Sequence, residues 1–408
     1  MYNLGIHLYA LGVAVASHFN KKVSKMWRGE HDTFRILKEK ADPNSQYIWV
    51  HAASLGEFEQ GRPIIERIKQ DHPEQKVLLT FFSPSGYEVR KNYSGADIIC
   101  YLPLDTKGNA RRFLSLINVK MAFFIKYEFW YNYLHILKKR NVPVYSISCI
   151  FRKNQIFFRW YGKPYSKVLN CITHFYAQNE ESRLLLAGLG LTNVTVTGDT
   201  RFDRVLQIKD AAKQLAVIER FVAGQTRVFV AGSSWQPDEE IFIKYFNQHK
   251  DWKLIIAPHV IGEEHLKQID TLLEGRKVVR YTEAEQTTDL NKAEVLIINC
   301  FGLLSSIYHY GQVSYVGGGF GAGIHNVLEA AVWNVPVIIG PNNKKFQEAQ
   351  ELLAAGGCFE INSYSDFEQL MNHFDADASF LSEAGRKAGK YVKHKAGATT
   401  DVLNKVQL

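Results

Sequence analysis

The stretch VSYVGGGFGAGIHNVLEAAVWNVPVIIGP, Val313–Pro341, holds the residues best suited to chemistry. An apolar strand, Val313–Val316, runs into a glycine cluster of Gly317, Gly318, Gly319, Gly321 and Gly323, and a helix is expected to open near His325–Asn326. Glycines admit a ligand close to the backbone, and the N–H groups of a helix's first turn, with the dipole behind them, favour negative charge. The chemistry implied is phosphate binding. Glu329, three residues beyond Asn326, falls on the same first turn, where a carboxylate can accept from the two hydroxyls of a ribose. The plainer alternative is a tight turn with Glu329 complementing the dipole. A dinucleotide fingerprint fits less well, because Gly317-x-Gly319-x-x-Ala322 comes late in the chain and no acidic residue closes the next apolar run, Val335–Ile339.

Other candidates stand at the ends of other apolar runs. Glu57, in His51-Ala52-Ala53-Ser54-Leu55-Gly56-Glu57, is placed in the first turn of a helix as either a cap or a general base. Lys126-Tyr127-Glu128-Phe129-Trp130-Tyr131-Asn132 sets charge between a buried strand and aromatics that either wall a cleft or pack the next helix. Arg201 and Arg204 flank Asp203 and either neutralise a phosphate or form a structural ion pair. Gly232-Ser233-Ser234-Trp235 with Asp238 and Glu239 reads as a capped strand-to-helix loop, and Pro258–His259 ends another strand. His51, His259 and His325 come from three loops, but no His-x-x-x-His or His-Glu-x-x-His pattern supports a metal site. No Gly-x-Ser-x-Gly elbow is present, and the dispersed lysines and arginines form no nucleic-acid-binding module.

The elements that must position these residues alternate along the chain. Tyr47–His51, Val77–Phe82, Ile98–Tyr101, Ala122–Ile125 and Val144–Ile147 read as strands, with helix-period segments such as Phe58–Lys69, Ala110–Ile117 and Tyr131–Lys139 between them. A second series runs through Val228–Ala231, Leu254–Ala257, Val278–Arg280, Val295–Ile298, Val313–Val316 and Val335–Ile339. The polar Thr197–Asp210 between them reads as an inter-domain linker. This predicts an α/β protein of two doubly wound, parallel-sheet, Rossmann-like domains facing a central cleft. The boundaries expected are 1–30 for an N-terminal helix and basic flank, 31–205 for the first domain and 206–408 for the second, with the last helix free to cross back.

With 408 residues and 46% hydrophobic content, two cores are expected. The net charge of +8 points to an anionic partner. Five scattered cysteines without a Cys-x-x-Cys pair argue for a reducing compartment. Tyr2–Phe19 is mostly apolar and is followed by Lys21, Lys22, Lys25 and Arg28. Without a positive n-region it reads less as a secretory signal than as a helix lying in the inner leaflet, steadied by anionic lipid; a buried first helix is the alternative.

The ordered set WVHAASLGE (Trp49–Glu57), SPSG (Ser83–Gly86), YLPLD (Tyr101–Asp105), EFWYN (Glu128–Asn132), AQNEES (Ala177–Ser182), VTGDTRFD (Val196–Asp203) and VGGGFGAGIHNVLEAA (Val316–Ala331) resembles the 3-deoxy-D-manno-octulosonic acid (Kdo) transferases of lipopolysaccharide assembly. The resemblance implies a GT-B glycosyltransferase that moves Kdo from CMP-Kdo to a phosphorylated, acylated lipid A precursor at the cytoplasmic face of the inner membrane, with inversion and with neither cofactor nor metal. It assigns Glu57 as general base, with Arg201 and Glu128 as further catalytic residues. For the nucleotide it implies Pro258, His259, Phe301, Gly302, Leu303, Gly318, Gly319, Asn326, Val327, Leu328 and Glu329. Lys126 replaces the first acidic residue of the family's Glu-x-Glu, Arg201 a usual lysine, and the family's Pro-Arg-His reads Pro258–His259. The partners implied are CMP-Kdo, the lipid acceptor and an anionic membrane surface, but no nucleic acid. The alternatives are another GT-B enzyme using a UDP-sugar and a non-catalytic membrane-surface binding protein.

Overall fold

The structure, a computed structural model, describes every residue except Met1 and Lys213. The chain forms two compact units, Met1–Arg204 with Ala396–Leu408, and Val205–Lys395. Each is built on seven parallel strands. In unit 1 these are β1 (Tyr47–Ala52), β2 (Lys76–Phe81), β3 (Ile98–Tyr101), β4 (Val119–Ile125), β5 (Val144–Cys149), β6 (His174–Ala177) and β7 (Val194–Val196), in the order β3-β2-β1-β4-β5-β6-β7. Unit 2 has β8 (Val228–Ser234), β9 (Lys253–Pro258), β10 (Val278–Arg280), β11 (Val295–Ile297), β12 (Val313–Val316), β13 (Val337–Ile339) and β14 (Cys358–Glu360), in the order β10-β11-β9-β8-β12-β13-β14.

The central strands are buried along their length because helices cover both faces, which is why they read as continuous apolar runs. β6, β7 and β14 escape the sequence reading: β7 and β14 are three-residue edge strands only partly buried, and β6 is four residues long and opens with a half-buried histidine. Near the middle of each sheet the strand order switches direction, between β1 and β4 in unit 1 and between β8 and β12 in unit 2; β10 and β11 are also exchanged at the edge of the second sheet. Loops leaving the carboxyl ends of such strand pairs diverge and open a crevice for ligands. Glu57 and Glu128 follow β1 and β4; Asp238 and the glycine cluster follow β8 and β12.

The stretch read as an inter-domain linker holds the division between the units, and it is ordered. Asp199 and Thr200 are buried in unit 1, and a helix begins at once, Arg201–Asp210, within which the division between the units falls. Its polar groups are satisfied by protein. The Thr200 hydroxyl donates to the Gln60 carbonyl at 2.6 Å, and Asp203 accepts from the Gly397 and Thr399 N–H groups at 2.6 and 2.7 Å and from the Thr399 hydroxyl at 2.7 Å. Asp203 thus caps the returning helix Ala398–Leu403, whose Val402 joins Ile64 and Ile68 in the core. Asp203→Ala is expected to destabilise unit 1 by about 1–3 kcal/mol by leaving these donors unsatisfied, read from urea unfolding.

The first helix is Tyr2–Ala16, and Val13 is its buried residue. Leu4, Leu8, Leu11 and Val15 are each more than half exposed. Its start is tied down by the Tyr2 hydroxyl donating to Asp105 at 2.6 Å and by Asn132 donating to the Asn3 side-chain oxygen at 2.9 Å. Among the described residues no helix is long and apolar enough to cross a membrane.

Candidate active site

In unit 1, β1 ends in a tight turn and Ser54 caps the helix Leu55–Asp71. Glu57 stands in the first turn, 7% exposed, and accepts from the Ala53 N–H at 2.6 Å. Its carboxyl is pushed up to about 7, first by burial and next by the neighbouring Glu128 carboxylate; the Ala53 N–H and Lys126 pull the other way. The carboxylate ties the turn, and its raised proton affinity lies in the range useful to a base near neutrality. Glu128 accepts from the Trp130 indole at 2.9 Å and lies 3.8 Å from His51 Nε2. Lys126 turns the chain out of β4 with a left-handed backbone, φ 62°, uncommon without glycine, and its N–H donates to the Ile147 carbonyl at 2.8 Å.

Arg201 does not pair with Asp203. Its Nε and Nη2 reach Asp199 at 2.9 and 2.8 Å, and Gln60 donates to the other Asp199 oxygen at 2.9 Å. Burial pushes the Asp199 carboxyl up, but the Arg201 charge and the hydrogen bonds outweigh it and hold the group below its ordinary value. Arg204 pairs with Glu59 at 3.1 Å and Glu66 at 3.7 Å, so that arginine is structural.

In unit 2 the glycine cluster is built on close approach. A Cβ on Gly317 would lie 2.4 Å from the Ser233 carbonyl oxygen, and one on Gly319 would lie 2.6 Å from Gly340. Gly318 has φ 93°, and its N–H donates to Asp238 at 2.9 Å. Asp238 also accepts from the Trp235 N–H at 2.9 Å and the Tyr315 hydroxyl at 2.8 Å, so one carboxylate locks the loops after β8 and β12 together.

The helix expected to open at His325–Asn326 begins later and is shorter, Leu328–Ala331. The Asn326 side chain accepts from the Leu328 N–H at 3.2 Å and holds a turn where helix was expected. Glu329 is nevertheless in the first turn. It accepts from the Ser305 hydroxyl at 2.6 Å and from the Asn326 amide at 3.1 Å, which orient the carboxylate. Ser305 lies just past Phe301-Gly302-Leu303, where Gly302 has φ 92° and Phe301 is 78% exposed.

Pro258 ends β9, and the His259 ring stacks with both Trp235, 4.7 Å between centroids, and His325, 4.4 Å. The Trp235 indole donates to His325 Nε2 at 3.3 Å. Burial pushes both imidazoles down, and the His259 ring adds to this for His325, which reaches about 4. Both rings are therefore neutral at pH 7. A hollow of about 310 Å³ beside this stack is lined by Trp235, Pro237, Phe320, Gly321, Ala322, Gly323 and His325, with Asp238 at its edge. His51 belongs to unit 1, whereas His259 and His325 stack in unit 2; among the described residues no cluster of three or more His, Cys, Asp or Glu side chains could hold a metal. The sequence reading missed the aromatic stack, the anchoring role of Asp238, and Ser305. Only Asp238 had left a signal, as part of a capping pattern.

The chain thus carries two Rossmann-like parallel-sheet units, each with a polar cluster where the strand order switches direction. A solved structure of UDP-GlcNAc 2-epimerase from Neisseria meningitidis, bound to UDP-GlcNAc, shares the fold with a TM-score of 0.62 at 14% identity, over 88% of this chain and 99% of that one. The family described as 3-deoxy-D-manno-octulosonic-acid transferase (kdotransferase) matches residues 29–204. The 3-deoxy-D-manno-octulosonic acid transferase of Aquifex aeolicus is 28% identical over 326 residues, 78% of this chain and 83% of the relative. A bifunctional glycosyltransferase/methyltransferase of Fusobacterium nucleatum is 25% identical over 94% of this chain, which spans 60% of that protein's length. The chain is thus similar to the Kdo transferases, over residues 29–204 by the family and over 78% of its length by the Aquifex aeolicus relative.

Proposed function

We propose that this chain transfers Kdo from CMP-Kdo to a hydroxyl of a phosphorylated, acylated lipid A precursor by a single inverting displacement. The observation that carries the reading is Glu57, a buried carboxylate beside a second carboxylate, with its proton affinity raised to about 7. Deprotonated above that pH, Glu57 takes the proton of the attacking hydroxyl as the bond to the anomeric carbon forms and the bond to the CMP phosphate breaks. In unit 2 the Glu329 carboxylate, preset by Ser305 and Asn326, accepts from the ribose hydroxyls. The backbone of Gly318–Gly319 approaches the phosphate, and the Trp235–His259–His325 stack offers a flat neutral face to the rest of the donor. Arg201, held by Asp199, supplies positive charge to the leaving phosphate or the Kdo carboxylate. Neither cofactor nor metal enters this reading.

The nucleotide assignment is tested by calorimetry of CMP and UDP with the purified chain. Tight CMP binding that Glu329→Gln weakens supports it. Tight UDP binding with no response to CMP would favour a UDP-sugar enzyme, which the shape of the epimerase fold also accommodates.

The same reading puts the protein on the cytoplasmic face of the inner membrane, through the exposed Leu4, Leu8, Leu11 and Val15 and the basic Lys21, Lys22, Lys25 and Arg28. The chain is expected to float with vesicles containing anionic lipid. Replacing Leu4, Leu8 and Leu11 with serine is expected to lower the partition coefficient by at least about tenfold; an unchanged partition would remove the helix from this role.

A further inference from the structure

His51 is a fully buried β1 residue paired in register with Thr80 of β2 and Phe124 of β4. Its Nδ1 lies 2.8 Å from Thr80 Oγ1, and the Trp49 indole donates to the same oxygen at 2.8 Å. An indole N–H can only donate, so Thr80 accepts there; were it to accept from His51 as well, its own hydrogen would have no partner among the described residues, so Thr80 gives that hydrogen to His51 Nδ1. With Nδ1 accepting, the hydrogen of the neutral ring sits on Nε2. That nitrogen is buried with no hydrogen-bond partner, and it faces Glu128 Oε2 at 3.8 Å, just beyond hydrogen-bond range. Phe124 and Trp130 pack the ring, at 5.5 and 5.7 Å between centroids, and Trp130 also donates to Glu128 Oε2. A buried donor with nothing to bond except a carboxylate beside the candidate base calls for an account.

We infer that Trp49, Thr80 and His51 form a positioning relay that presents an Nε2–H donor to the Glu128 carboxylate beside Glu57, and so sets how readily Glu57 takes up a proton. The inference deepens the proposed reaction and rests on Glu57 being its base. The Trp130 indole and His51 Nε2 face the same Glu128 oxygen, at 2.9 and 3.8 Å. The other groups facing the pair are Lys126 and Tyr127 from the turn after β4 and Tyr165 from the helix Lys163–Ser166, with Arg152 beyond Tyr127. These act from outside the sheet, whereas His51 acts from within it. Loss of the donor favours protonation of the pair, so the direction follows: the pH at which the pair takes up its first proton rises.

The test is nuclear magnetic resonance on the full chain, with ¹⁵N-histidine and ¹³C-carboxyl glutamate, comparing wild type with His51→Gln, His51→Phe and Thr80→Val. The wild-type His51 signal, assigned by its loss in His51→Gln, is expected to show a hydrogen on Nε2 and a bare Nδ1. The upper apparent pKa of the Glu57–Glu128 pair is expected to rise by about one unit in His51→Phe and to return toward wild type in His51→Gln, whose amide N–H can stand where Nε2–H stood. Thr80→Val is expected to raise it as well, because the tautomer is no longer fixed, and this variant carries the test if His51→Phe does not fold. A wild-type ring protonated on Nδ1, or carboxylate titrations in His51→Phe or Thr80→Val that superimpose on wild type, would overturn the relay. In the transfer assay the acid limb is expected to move with the pair while the KM for CMP-Kdo stays unchanged. Because the spectroscopic arms need no substrate, absence of Kdo transfer with the tautomer and titration as expected would count against the reaction and in favour of the relay.

Discussion

Glu57→Gln is expected to lower transfer by about 10²–10⁴-fold, the range for loss of a positioned base, while the protein folds as well as wild type or better. The amide keeps the shape of the side chain and an oxygen for the Ala53 N–H, so the turn after β1 survives. The sign of the stability change follows from the raised carboxyl. A group whose pKa is higher folded than unfolded adds stability at low pH, and that stability is lost as pH rises through the folded value, here about 7. Above that pH the buried charge opposes folding, and glutamine removes it. Loss of activity with an equal or higher Tm at pH 8 therefore separates a base from a cap, since loss of a cap would lower the Tm. Wild-type kcat is expected to fall as pH drops through about 7, as the carboxylate takes up its proton. A flat profile between pH 6 and 8, in about the range where this group titrates, would remove Glu57 from the role.

Gly319→Ala is expected to have the largest effect in unit 2. Gly319 and Gly340 follow β12 and β13 and pass with no room between them: a Cβ on either comes within 2.7 Å of the other's backbone. Backbone cannot rotate away as a side chain can, so the loop must lift from the sheet. The displacement reaches Gly318, whose N–H is fixed by Asp238, and with it the surface offered to the nucleotide phosphate. A destabilisation of about 1–3 kcal/mol is expected from overpacking, with CMP affinity lowered at least about tenfold. Urea unfolding and calorimetry read the two. Gly321→Ala is the control for stability, because the nearest atom to its Cβ, the Gly318 carbonyl oxygen, is at an ordinary 3.7 Å. Equal stability of the two variants would contradict the close-packing account.

Those two predictions draw on features of different legibility. The glycine cluster could be read from the chain because few residue types tolerate backbones 2.6 Å from a would-be Cβ, and the flanking strands are buried on both faces and so uniformly apolar. Glu57 could be placed because Ser54 and Glu57 have cap spacing at a strand end, although nothing in the sequence measures the burial that raises its proton affinity. The Trp235–His259–His325 stack could not be foreseen, since its members come from three separated loops and meet only through the strand order β9-β8-β12. The same holds for His51, Thr80 and Trp49, whose contacts depend on the register of β1 against β2. Thr197–Asp210 was legible as the place where the units divide, but not its buried polar contacts, whose partners are distant in sequence.

The proposed reaction moves Kdo from a cytidine donor to a lipid A precursor with Glu57 as base. Its most direct test is transfer of labelled Kdo from CMP-Kdo, generated in situ, to a tetraacylated lipid A precursor, with chelator present and Glu57→Gln run alongside. The account predicts labelled product from wild type and none above background from the variant. Equal product from both would contradict the assignment of the base, and no product from folded wild type with the acceptor accessible would contradict the assignment of the reaction.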